Sequence, residues 1–216
     1  MKISLIIIGA GGHAISVMNV AISSGMNVTA FIDENKVGKQ IMGISVISKQ
    51  RYLNDYSNIG LAIAIGDNAL RESIYNEYIA DLTNVYFPPL IHKSSVVGVG
   101  TIIGDGTVLM PLVNVGPNST IGKFCVLNTS SSIDHDCAMK SYSSLAPRAV
   151  CGGNVKIGVR SAVSIGATVK HGVIIGDDVV IGANSYVNKA ISDEFVAYGT
   201  PCKEVKKRIK GDPYLS

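Results

Sequence analysis

Asp134, His135 and Asp136 stand side by side in the segment IDHDCA, the densest acid–base chemistry in the chain. A neutral histidine flanked by a carboxylate is the simplest general base near neutral pH, because its unperturbed pKa is about 6.5 and the acid can fix its tautomer. The same residues would also suit a solvated surface corner, so the elements that carry them have to be read first. Which acid orients His135 is open: neighbours on a strand point to opposite faces, and a corner relaxes that rule.

Counting every sixth residue from Ile91 gives seventeen positions ending at Val187, and all seventeen are apolar in a chain that is 47% hydrophobic. The next position is glycine at 98, 104, 116, 122, 152, 158, 176 and 182, where it is expected to permit a bend that other residues resist. The fifth position is small or β-branched, as at Ser95, Thr101, Thr107, Ser119, Ser131, Ser143, Ser161 and Ala167. One large and one small inward residue per short strand describe a narrow solenoid packed from its sides. The pattern is similar to the left-handed parallel β-helix of the hexapeptide-repeat acyltransferases, and the three sides and the hand come from that resemblance.

With three sides to a coil, Gly153, eighteen residues after His135, should stack roughly 4.8 Å from it, the ordinary interstrand spacing. A glycine there leaves its backbone amide approachable. A base beside a free N–H could serve an acyl transfer, the base activating a nucleophile and the amide holding the developing oxyanion. His171 lies a further coil away, roughly 9.6 Å from His135 and beyond the reach of one zinc ion. His92 falls at a different corner position, so a metal site would need histidines gathered from adjacent chains; none is expected.

The first ninety residues have another period. LIIIG, NVTAFID and LAIAIG read as strands, and the segments after the glycine turn and from DNALRESIYNEYIA as helices, which indicates a small parallel α/β sheet. Gly9, Gly11 and Ala14 fit GxGxx(G/A), with Asp33 about twenty residues on, a fingerprint for a phosphate at a helix N-terminus and a ribose hydroxyl on the acid. Tight strand-to-helix packing would ask for the same glycines. About ninety residues make half of a dinucleotide fold, so one nucleotide, as in a nucleotide-sugar, fits better than NAD. His13 is either a helix-start residue or a ligand to that nucleotide-sugar.

Composition excludes other classes. A net charge of +3 over 216 residues is too small by itself to argue for nucleic acid or an anionic membrane as partner. No apolar run approaches a membrane span. Four cysteines without CxxC spacing, and an opening MKISLIII broken by Gly9 to Gly12, fit a reduced cytoplasmic protein. The tail VAYGTPCKEVKKRIK holds Lys203, Lys206, Lys207, Arg208 and Lys210 against Glu204; it is a solvated helix face, or meets the phosphates of coenzyme A at the end of a donor groove.

IIIGAGGHA, FIDEN, LAIAIGDNALR, LNTSSSIDHDC, LAPRAVCGGNVKIG and YGTPCKEVKKR, in that order across nearly the whole chain, resemble the bacterial nucleotide-4-amino-sugar N-acetyltransferases of the sialic acid O-acetyltransferase type. The resemblance implies a nucleotide-sugar-binding Rossmann-like α/β domain over residues 1–88 and a left-handed parallel β-helix over 89–216. It implies acetyl transfer from acetyl-CoA to the 4-amino group of a UDP- or dTDP-linked 4-amino-4,6-dideoxysugar, in a homotrimer with sites between subunits. Gly11, Gly12, His13, Asp33, Glu34 and Gly66 would hold the nucleotide-sugar and Asn128 its amine. His135 would be the base, Asp136 its partner and Gly153 the oxyanion amide. Ser144, Gly153, Gly166, Ala167, Lys203, Lys206, Lys207 and Arg208 would line the donor. Ser144 departs from the family pattern, standing where many members carry a second histidine, and Cys202 replaces the usual alanine. The competing readings are O-acetylation of a sugar or sialic acid hydroxyl, a non-catalytic solenoid binding a nucleotide-sugar or protein, and an NAD-linked enzyme.

Overall fold

The computed structural model describes residues 4–55, 59–81 and 85–215; the first three residues of the apolar opening lie outside them. The N-terminal unit is built on β1 (Ser4–Ile8), α1 (Gly12–Ser23), β2 (Asn27–Ile32), β3 (Gln40–Ile41), β4 (Ile44–Ile47), α2 (Lys49–Asp55), β5 (Gly60–Ile63) and α3 (Asn68–Asp81). Its sheet runs β3-β4-β2-β1-β5, parallel except for β3 at the edge. β1 lies inside the sheet between β2 and β5 and is covered on both faces, which is why it reads as an unbroken apolar run. The β3–β4 hairpin and α2 carry no strong periodicity and were not legible as elements.

From Leu90–Ile91 to Tyr186–Val187 the chain makes seventeen two-residue strands, each six residues after the last. Each pairs in parallel with the strand eighteen residues away, as Ser132–Ile133 does with Val150–Cys151, so three flat sheets close a prism. The sixth-residue positions point inward and are buried from Leu109 to Val187. Val97 and Ile103, in the first coil, stay partly open. The small fifth position is also inward, and its hydroxyls stitch the coils: Ser119 Oγ donates to the Asp134 carbonyl at 2.9 Å and accepts from the Cys137 amide at 3.1 Å.

The bend is made elsewhere than the glycine positions suggested. Every sixth residue from Gly100 to Asn184 has positive φ, including Asp136 (57°), Asn154 (58°) and Arg160 (57°). These are the corners, and they tolerate non-glycine residues because each is fixed by backbone pairing to the coils on either side. The glycines at 98, 104, 116, 122, 152, 158, 176 and 182 have ordinary φ. They are there for space: a Cβ on Gly104 would lie 2.6 Å from the Gly122 carbonyl carbon, and on Gly158 2.2 Å from the Gly176 oxygen.

The last coil is capped by a hairpin, Phe195–Gly199 paired antiparallel with Cys202–Lys207, where a helix face was the expectation for the tail. The two units share one apolar core. They are also pinned by Arg71, which is fully buried and donates from Nε to the Phe124 carbonyl at 2.8 Å and from Nη2 to Tyr142 at 2.9 Å, while Nη1 reaches the Ile65 and Gly66 carbonyls. Beside it Asn68 donates to Ser144 Oγ at 3.2 Å.

Gly104→Ala should therefore destabilise the fold by about 1–3 kcal/mol, the scale of an overpacked core position. Thermal unfolding should show a Tm several degrees lower; an unchanged Tm would mean that the coils can part to admit a methyl group.

Candidate active site

His135 sits at the third position of its hexad, on the corner between two sheets, with Asp134 in the glycine position and Asp136 in the positive-φ position. The left-handed backbone of Asp136 swings its carboxylate alongside the preceding ring, and His135 Nδ1 lies 2.7 Å from Asp136 Oδ2. Asp134 does something different: its Oδ1 accepts the His135 backbone N–H at 2.8 Å, bracing the corner. The acid that orients the ring is thus Asp136. Its hydrogen bond is the main cause that raises the His135 pKa above the usual histidine value, with the Asp134 and Asp136 charges adding to it and partial burial opposing.

With Nδ1 on Asp136, Nε2 faces Gly153. A Cβ added to Gly153 would be 2.6 Å from that nitrogen, so only glycine leaves the ring where it is. The flanking amides of Gly152 and Asn154 donate to Val169 and His135 carbonyls, whereas the Gly153 N–H has no partner among the described residues. A base nitrogen and an unused amide therefore share one notch, an arrangement that can deprotonate a nucleophile and hold a developing oxyanion. His171 is nearer than coil spacing implied, its ring centroid 6.5 Å from that of His135. Among the described residues no group of three or more His, Cys, Asp or Glu could hold a metal ion.

The other expected residues gather in two cavities. One, of about 460 Å³, lies between the N-terminal unit, a different corner of the prism and the C-terminal segment, and is lined by His13, Gly66, Asn128, Ser144, Tyr214 and Leu215 among others. His13 is driven towards its neutral form by burial and then by the Arg71 charge, and its buried Nε2 has no partner among the described residues. A polar atom left unpaired at the wall of a cavity is one that a ligand could satisfy. The second cavity, about 290 Å³, lies at the C-terminal ends of β1 and β2, where Gly9, Asp33, Glu34, Asn35, Lys49 and Tyr78 meet. There Asp33 Oδ1 accepts the Asn35 amide and Glu34 Oε1 the Lys49 amide, leaving each acid a second oxygen.

Some expected contacts are arranged differently. Gly9 has φ of 101° and a Cβ there would press on the Ala64 carbonyl, while Ala14 is fully buried, so these two members of the fingerprint serve packing. Gly11 and Gly12 face open space at the start of α1. Ala167 points into the prism and is buried, so its side chain cannot line a donor groove; Gly166, beside it, is a positive-φ corner. Arg208 is also buried, its Nη1 on the Asp178 carbonyl at 3.0 Å and its Nη2 on Asp212, which makes it a clamp for the tail in place of a phosphate contact. Lys203, Lys206 and Lys207 are exposed on the hairpin. Tyr214 and Leu215, which carry no motif, line the larger cavity and were missed.

Residues 4–78 match the PglD N-terminal domain family. Over 93% of this chain and 96% of its relative, the sequence is 31% identical to GDP-perosamine N-acetyltransferase of Escherichia coli. The chain belongs to this family of hexapeptide-repeat sugar N-acetyltransferases. Among solved structures, PerB from Caulobacter crescentus in complex with CoA and GDP-perosamine is 31% identical, covers 94% of this chain and 97% of its own, and superposes with a TM-score of 0.87. The acetyltransferase domain of PglB from Neisseria gonorrhoeae, in complex with acetyl coenzyme A, is 30% identical over 95% and 100% of the two chains, with a TM-score of 0.88. The solenoid is accordingly a left-handed parallel β-helix following an α/β unit.

Gly153→Ala should lower kcat about a hundredfold, the scale of losing one oxyanion donor or its access. Because the three atoms nearest the added Cβ would all belong to the half-exposed His135 ring, which can swing aside, and none to backbone, the Tm should move little; steady-state kinetics paired with thermal melting separates the two effects, and near-native kcat would remove Gly153 from the site.

Proposed function

We propose that this protein transfers acetyl from acetyl-CoA to the amino group of a nucleotide-linked 4-amino-4,6-dideoxysugar, with His135 as general base. The carrying observation is the His135 ring, held by Asp136 at Nδ1 and packed with Nε2 against Gly153, whose N–H has no partner among the described residues. The relatives named for GDP-perosamine N-acetylation, similar over nearly the whole chain, favour a GDP-linked acceptor over the UDP or dTDP that the sequence suggested.

In the reaction, the neutral Nε2 accepts a proton from the acceptor amine as its nitrogen attacks the thioester carbon. The carbonyl oxygen takes the Gly153 N–H, and collapse expels the thiol. An amine is already nucleophilic once neutral, so no acyl-enzyme is needed. Asp33 and Glu34, each with one carboxylate oxygen that takes no hydrogen bond among the described residues, are suited to ribose and base. His13, Gly66 and Asn128 are suited to the sugar, Ser144 and the segment around Gly166 to the acetyl donor, and Lys203, Lys206 and Lys207 to its phosphates.

One chain holds these parts at different corners of the prism: His135 on one, the cavity with His13 and Asn128 on the next. A threefold assembly in which one subunit's His135 corner meets its neighbour's cavity would complete the site, and supports the homotrimer reading. The four free cysteines suit the reducing cytoplasm.

His135→Ala should lower kcat about a hundredfold or more with donor binding near normal, the usual scale of a general base. Because the His135 pKa is raised, its active neutral form is lost as pH falls through that raised value. The acid limb of kcat should therefore lie above that of an ordinary histidine and move to lower pH in Asp136→Asn, with kcat reduced as the tautomer is released. A limb unmoved in that variant would separate Asp136 from the base. Mass spectrometry of products from GDP-, UDP- and dTDP-linked amino- and hydroxy-sugars with acetyl-CoA decides the acceptor; acetylation of hydroxyls alone, or no transfer at all, would sink the reading.

A further inference from the structure

The notch at Gly153 has a second imidazole. His135, Gly153 and His171 occupy the third hexad position of one corner in three successive coils, as the pairing of Ile133 with Cys151 and of Cys151 with Val169 fixes. Two coils of ordinary spacing would set the rings about 9.6 Å apart. The centroids are 6.5 Å apart with the planes inclined by 49°, so the side chains lean towards each other over the glycine. Nothing from Gly153 intervenes, since it has no side chain, and its N–H is unused among the described residues. Both rings are exposed, so each is available to a substrate lying in the notch.

We infer that His171 is a further catalytic residue, donating a hydrogen bond to the thioester sulfur as the thiolate leaves. This rests on the acetyl-transfer reading above. Three atoms around the reacting carbon change charge during the transfer. The amine nitrogen faces His135, the carbonyl oxygen faces the Gly153 amide, and the sulfur is left for the group on the other side of the notch, which is His171. As the C–N bond forms, one amine proton passes to His135 Nε2. As the C–S bond breaks, its electron pair goes to sulfur, which accepts the His171 N–H. The proton that His135 took returns through solvent to the sulfur, giving amide and thiol with both imidazoles restored. A hydrogen bond to a full negative charge is among the stronger ones, so an imidazole N–H beside the departing sulfur would ease its release.

The test compares native protein, His171→Ala, His171→Gln and His135→Ala with acetyl-CoA and GDP-perosamine. His171→Ala should lower kcat about tenfold, the scale of one hydrogen bond to a charged group, with KM for both substrates within about twofold of native. His171→Gln, which keeps an N–H donor, should recover most of that loss. A kcat unchanged in His171→Ala, a loss confined to KM for acetyl-CoA, or a glutamine variant as slow as the alanine one would each overturn the assignment. If His135→Ala is slowed and His171→Ala is not, only the role of His171 falls. If neither is slowed, the acetyl-transfer site itself is wrong.

Discussion

The left-handed corner at every sixth residue is the constraint on which the rest of the molecule depends. From Gly100 to Asn184 the chain takes positive φ at fixed intervals, and that turn makes three sides of six residues close into one coil. Once the coil is closed, residues eighteen apart are stacked neighbours whatever their identity. Non-glycine residues in that conformation carry a cost of roughly 1 kcal/mol each, least for Asn and Asp, which the ladders on either side offset. At Asp136 the cost has a use: the same backbone that turns the corner brings the carboxylate back against the ring of His135. On a straight strand the two side chains would point apart.

A prism alone would leave the larger cavity without one of its walls, and the α/β unit supplies that wall only if its orientation is fixed. Arg71 does much of that. Its charge is buried among carbonyl oxygens of both units, with Asn68 Oδ1 as a further acceptor, and among the described residues none of its hydrogen-bond partners is a carboxylate. Burial disfavours the charged form, and the carbonyls offset this by accepting its donors. Such a group resists displacement, because any movement strips hydrogen bonds from a cation that cannot reach water. Through the Ile65 and Gly66 carbonyls, Arg71 holds the turn that forms one wall of the larger cavity, and through Asn68 it reaches Ser144 on another. The stability of the join and the shape of the cavity are thus one matter.

The solenoid and the stacking of Gly153 on His135 were legible because period six translates directly into space: counting by eighteen sets the one under the other without any knowledge of side-chain contacts. The roles of individual residues were less so. Glycine at the second position is read equally well as a bend or as a close approach, and only the φ values and the neighbouring coil separate them. Ala167 and Arg208 fall in a donor groove by the resemblance, yet one lies on the inward side of its hexad and the other folds under the hairpin. The tail has charged residues at helix-like intervals, but the free edge of the last coil offers backbone partners that a strand can satisfy and a helix cannot. Tyr214 and Leu215 reach the cavity through a return of the chain that no local pattern encodes.

In the proposed reaction, the raised pKa of His135 bears on how well it would serve as a base. A higher pKa leaves less of the neutral form at pH 7, which lowers the competent fraction of the protein. It also makes the nitrogen a stronger acceptor for an amine proton, and that gain acts in the transition state, where the attacking nitrogen becomes acidic as it bonds to carbon. Proton transfer is most efficient when donor and acceptor are close in affinity at that point, so a modest rise can be favourable as long as the pKa stays near the working pH. Asp136 is half-exposed, as is the ring, so solvent screens the pair and keeps the rise modest. A buried carboxylate at the same distance would hold the imidazolium more firmly and leave the base occupied by a proton when the amine arrives.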